Sequence, residues 1–178
     1  MMRSRILGML AAALALPALA ESPTGAEPAL RAALMDRVEA YEALMADGQI
    51  VASLDFLPPA LLAQLAKQAG TDPDGMRQRM TEQFQATIDS RPLWGATFEI
   101  SRDPATIEHT ESGRPYAVMA SYSAFPSLGI PEINAPVMAL MEDEAWYLVR
   151  IESPMHSAMV AQIYPDLRAP LLTMDKTR

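Results

Sequence analysis

The chain has no cysteine, and only two histidines and two lysines among its 178 residues. Without cysteine, no disulfide can staple the fold, no paired-cysteine zinc site can form, and a lipid-modified N-terminal cysteine is excluded. Such a domain must bury a sizeable apolar core, and the length is ample for one domain that does so unaided. No apolar run reaches the roughly 20 residues that a membrane-spanning helix needs. The G-x-S-x-G, glycine-rich phosphate-loop and H-E-x-x-H patterns are all missing, so hydrolase, nucleotide-binding and zinc-protease readings have no support. The two lysines stand against twelve arginines, a compositional bias with no functional content.

Residues Met1 to Ala20 have the pattern of a secretory signal peptide: Arg3 and Arg5, the apolar run Ile6 to Leu16, then the small-residue site Ala18-Leu19-Ala20. Cleavage near Ala20 predicts a soluble periplasmic or secreted protein of about 158 residues without a stable membrane anchor. Net charge then moves from −8 to −10, because two arginines leave and no acid does. That balance repels nucleic acid and anionic lipid and keeps the chain soluble. Glu21 to Glu27 reads as a flexible leader, residues 28–165 as a single domain and 166–178 as a C-terminal tail whose Leu167, Leu171 and Leu172 dock on the body.

The organising stretch is Asn134 to Ile151. Its apolar runs Val137–Met141 and Trp146–Ile151 flank Glu142-Asp143-Glu144, the pattern of an antiparallel hairpin with a solvated acidic turn. The acidic run lacks the spaced oxygen ligands and glycine of a calcium loop. In the second strand Trp146 and Leu148 face one way, Tyr147, Val149 and Ile151 the other. Both faces are apolar, which predicts a central strand.

Helices come first. Pro28 to Asp47 repeats Leu30, Leu34, Val38, Tyr41 and Leu44 at helical spacing and stops at Gly48. Ile50 to Leu57 has no assignment, although Pro58 forces Leu57 to be extended. Pro59 to Ala69 is a second helix, and Asp72-Pro73 caps a third with Met76, Met80, Phe84 and Ile88 four residues apart. Strands follow at Trp94–Ser101, more weakly at Ala105–Glu111, and at Tyr116–Phe125, with a loop from Pro126 to Pro131. A last helix begins at Ser153-Pro154 with Met155, Met159 and Ile163 as its core spacing.

Helices, then four or five antiparallel strands ending in W-Y-L-V-R-I, make an α+β fold with N-terminal helices packed on a curved antiparallel sheet. This order, with Asp143 to Ile151, resembles the NTF2-like cone, the cystatin-like α+β superfamily, over roughly Pro28 to Glu152. The resemblance implies a sheet wrapped around one long helix, with a pocket at the open end. Members range from ligand-binding and dimerisation modules to isomerases and dehydratases, so the fold does not choose a function.

In enzymatic cones an Asp or His transfers the proton and a Tyr polarises the substrate, chemistry that needs a titratable group in an apolar wall. Asp55, Tyr41, Tyr122, His109 and Tyr116 are the candidates. Asp55 sits in Leu54-Asp55-Phe56-Leu57, where a buried lone carboxylate would be costly, although a capping role before Pro58-Pro59 explains it as well. His109 lies between Glu108 and Glu111, as an exposed edge histidine does. Met155, His156 and Met159 fall within about one helical turn, and thioethers with imidazole suit Cu(I). The same methionines have plain core spacing. Tyr41, Phe98, Tyr122 and Trp146 are the candidate ligand-binding side chains. The expectation is a non-catalytic module, without cofactor, that binds a small apolar molecule or another protein, with a homodimer as one form. The alternatives are an isomerase- or dehydratase-type enzyme and a methionine-based copper protein.

Overall fold

The computed structural model describes residues 26–90, 96–103 and 106–171. The signal-peptide pattern, the leader up to Gly25, Trp94 and the last seven residues lie outside them. Helix α1 (Ala26–Ala46) ends where Gly48 takes a φ of 71°, a left-handed conformation that glycine adopts without a Cβ clash. The unassigned stretch is a 3₁₀ helix, Ile50–Phe56, and Leu57 is extended as the following proline requires. Helix α2 (Pro59–Gln68) begins on Pro59. Helix α3 (Pro73–Ser90) is capped by Asp72, whose Oδ1 accepts from Gly75 N at 2.7 Å.

The strands are β1 (Thr97–Ile100), β2 (Glu108–His109), β3 (Pro115–Phe125), β4 (Ile130–Glu142) and β5 (Ala145–Arg150), followed by helix α4 (Pro154–Ile163). They form one curled antiparallel half-barrel in the order β1–β3–β4–β5, with β2 also paired to β3. The fold is α+β, helices on a curved antiparallel sheet. Strand β4 begins at Ile130, earlier than the sequence indicates, and the segment before it is a short 3₁₀ turn, Pro126–Leu128.

Period-two alternation sends the strand residues into two cores. The inner face carries Ala117, Met119, Val137, Ala139, Trp146 and Leu148 against Leu34 and Val38 of α1. The outer face carries Tyr116, Met138, Leu140, Val149 and Ile151 against α2, α4 and the segment Tyr164–Leu171. Each fully buried aliphatic side chain contributes roughly 1.5–3 kcal/mol. Leu167 and Leu171, 0% and 2% exposed, do dock on the body.

Two expectations are corrected here. Strand β5 is the last in the order rather than central. Its faces are both apolar because helices cover both sides of the sheet, not because strands flank it. In α4 the buried residues are Ser157 and Val160, whereas Met155 is 73% exposed. Met159 and Ile163 do pack, partly buried, against the outer core, so only Met155 of that spacing lies outside it.

Polar ties hold the layers in register. Trp146 Nε1 donates to Leu30 O at 3.1 Å, and Arg37 Nε donates back to Trp146 O at 3.1 Å. The Arg37 guanidinium also lies 3.7 Å over the Phe56 ring and donates to Asp55 O at 2.6 Å. Glu142 is not part of a merely solvated turn: it accepts from Ala60 N at 3.1 Å and from the Tyr164 hydroxyl. Asp143 and Glu144 alone make the turn, at φ of 48° and 63°. Asp166 Oδ2 accepts from Ser112 Oγ at 2.7 Å, Arg114 Nε at 3.0 Å and Thr110 Oγ1 at 3.1 Å, fastening the outer layer to the β2–β3 turn.

Glu144→Gly removes a side chain from a left-handed position and is expected to stabilise the fold by about 0.5–1 kcal/mol, read from urea denaturation. Asp166→Asn is expected to cost about 1–3 kcal/mol, since it removes the charge that three donors share. Burial pushes the Asp166 carboxyl up, but Ser112, Arg114 and Thr110 together hold it below its ordinary value. The wild-type contribution is therefore complete above the unfolded-state pKa and fades as pH falls through the lower folded-state value. Thermal melts between about pH 7 and about pH 3 should show less acid sensitivity in Asp166→Asn than in wild type.

Candidate functional site

The inner face is filled where a cone would have its pocket. Tyr41 of α1 stacks edge-on against Phe56 and Phe98, with ring centroids 5.0 and 5.1 Å apart. Arg150 reaches the same cluster from β5, its guanidinium 5.5 Å over the Phe98 ring. It donates to Ser123 Oγ at 2.7 Å and to Ile133 O at 2.9 Å. Glu152 Oε1 lies 3.3 Å from Arg150 Nε, but off the N–H direction, so this buried nitrogen has a charge partner and no aligned hydrogen bond. Burial lowers the Arg150 pKa, and Glu152 and Tyr41 act against that. Burial likewise raises the Tyr41 pKa, so its phenol stays protonated near neutrality and is a donor rather than a base.

A broad concavity lies on the other side of the sheet. It is a trough of about 1060 Å³ with a floor of Tyr116, Val118 and Ala120 from β3 and Pro136 from β4. Ala169 and Pro170 form one wall, and Asn134 stands at the end near Tyr122, its partner in register. The trough exists because α4 and the segment after it cover only part of the outer face. Strand alternation carries the apolar floor on past that cover, leaving Val118 37% exposed.

Two charged side chains line the trough, Glu108 and Glu152, and among its described lining residues no lysine, arginine or histidine occurs. Glu152 has Arg150 beside it. Glu108 accepts a hydrogen bond from the Tyr116 hydroxyl through Oε2. The Tyr116 pKa is pushed up to about 12 by burial and by that carboxylate. The arrangement offers an apolar floor, a phenol that donates and an anionic rim.

The sequence-derived candidates scatter. Tyr41 and Phe98 meet in the inner cluster. Trp146 is 4% exposed in the inner core, held by Leu30. Tyr122 is on the outer face beyond the trough, its pKa raised by a hydrogen bond with Glu132. Asp55 stands 72% exposed in a 2.7 Å ion pair with Arg77, outside the trough. His109 is exposed on β2. Met155, His156 and Met159 share the first turns of α4, but His156 Nδ1 accepts from Glu152 N at 3.2 Å. Among the described residues no group of three acidic or histidine side chains is placed to hold a metal, and no single helix is long and apolar enough to cross a membrane.

Comparison with protein-family models, with characterised proteins and with solved structures returned no match for this chain. Geometry and chemistry alone carry the functional reading. Val118, Ala120, Pro136, Glu108 and Glu152 had no sequence signal as a site. The one available trace was the shared face of Tyr116, Val118, Ala120 and Tyr122, which says nothing about which part a helix leaves bare.

Arg150→Met keeps the aliphatic stem on Phe98 but leaves Ser123 and the Ile133 carbonyl without their donor. It is expected to destabilise the fold by about 1–3 kcal/mol in urea denaturation.

Proposed function

We propose that this chain is an exported, non-catalytic binding module of the NTF2-like cone type, and that it holds a small apolar molecule. The observation that carries this reading is the outer trough, about 1060 Å³ and floored by Val118, Ala120, Pro136 and Tyr116. That volume lies at the upper end of the range for small-molecule sites, and such sites combine apolar walls with a few placed polar groups. The export reading rests on the Met1–Ala20 pattern. The cone reading rests on the helix-then-sheet order and on the curled half-barrel around α1. It departs from the usual cone in one respect: α1 and the Tyr41–Phe56–Phe98 cluster fill the inner face, and the open concavity is on the outer one.

An isomerase-type reading would centre on Asp55, and the exposed Asp55–Arg77 ion pair gives it no apolar setting for proton transfer. A copper reading would draw on Met155, His156 and Met159 at the start of α4, where His156 Nδ1 is engaged by Glu152 N at 3.2 Å. Neither has an observation in its favour comparable to the trough.

Ala120 is an exposed alanine on the trough floor, so Ala120→Trp fills the space without displacing core atoms. The expected result is loss of binding of a hydrophobic fluorescent probe, with Tm unchanged to within about 4 °C, the shift that roughly 1 kcal/mol produces in a domain of this size. Unchanged probe binding in the folded variant would sink the trough reading.

A further inference from the structure

We infer that the molecule held in the trough is a cationic amphiphile, an apolar body with a protonated amine, and that Glu108 receives the amine. This rests on the trough as the binding site and adds the chemical class of its ligand. The apolar floor admits a neutral, an anionic or a cationic chain equally. The rim does not. Its two charged side chains are both carboxylates, and no basic side chain occurs among the described lining residues.

The two carboxylates differ in what they have to offer. Glu152 already has the Arg150 guanidinium beside it, 3.3 Å from Nε. Glu108 has no ion-pair partner among the described residues. Its one hydrogen bond comes from the Tyr116 hydroxyl to Oε2, which orients the carboxylate at the edge of the floor and leaves Oε1 without a donor among the described residues. The donor that orients it is neutral, since burial and Glu108 itself keep the Tyr116 phenol protonated. A negative charge held in place beside an apolar floor, without an ion-pair partner among the described residues, complements an ammonium headgroup and repels a carboxylate one. A fatty acid would set its own carboxylate against that of Glu108.

The test is isothermal calorimetry of the full chain with three ligands of one chain length: dodecylamine, dodecanol and dodecanoate, each below its aggregation threshold. The expected order is amine over alcohol over carboxylate. Glu108 is exposed, so the amine should exceed the alcohol by about fivefold, the yield of a partly exposed ion pair. In Glu108→Gln the amine-to-alcohol ratio should fall to near one. If that variant folds poorly, the wild-type ratio is followed with salt instead, and it should shrink as sodium chloride rises from about 20 mM to about 500 mM. Dodecanol or dodecanoate binding as tightly as the amine would overturn the cationic assignment and leave the trough standing as a neutral apolar site. Failure of all three to bind would overturn the trough itself.

Discussion

Four consecutive residues of β4, Val137-Met138-Ala139-Leu140, are each no more than 2% exposed, and they face alternate sides of one sheet. The rest of the molecule follows from that. A strand buried on both faces needs a separate apolar layer on each, so α1 must lie on one side and α2, α4 and the segment to Leu171 on the other. The layers lie on opposite faces of the sheet, and each needs its own angular placement on it. Directional bonds set it: Trp146 and Arg37 fix α1, Glu142 fixes α2 and Tyr164, and Asp166 fixes the outer segment. All of these ties except the Asp166 one reach a residue in β5 or at the end of β4, which makes the hairpin the common reference for both layers.

Much of this architecture was legible in the sequence for identifiable reasons. The 3.6-residue spacing of Leu30, Leu34 and Val38 is long enough to be unambiguous, and Pro59 and Pro73 mark helix starts because a proline at the first turn loses no hydrogen bond. The hairpin was legible because its turn is charged and its strands are not. The misreadings share one cause. Apolarity on both faces of Trp146–Ile151 reports that both faces are covered, but not by what, and strands and helices cover equally well. The Met155/Met159/Ile163 spacing is genuine, yet the helix is rolled toward Val160 by what it meets. Glu142 reads as a turn residue until Tyr164 and Ala60, far along the chain in both directions, arrive beside it.

The site was harder to read than the fold, and for a physical reason. A pocket is a place where cover is missing, and sequence periodicity records only where cover is needed. Val118 and Ala120 have the same alternation as Tyr116, which is buried. What separates them is the reach of α4 and of the segment from Pro165 onward. The aromatic residues chosen from sequence fill volume instead: Tyr41 and Phe98 close the inner face, and Trp146 anchors α1.

The outer core also carries a consequence for the order of folding. Its members run from Leu61 to Leu171, with Met138, Leu140, Val149 and Ile151 of the sheet in the middle. Until Leu167 and Leu171 are present and docked, that sheet face has only α2 and α4 over it and part of its apolar surface stays bare. A chain that emerges from its N-terminal end can complete α1 and the inner layer early, but its outer layer closes only with the last described turn. Contacts of such long sequence separation close slowly, and the unfinished sheet is the species most exposed to pairing with a neighbour. The two faces of one sheet therefore mature at different times, and the outer face, which holds the trough, is the later of the two.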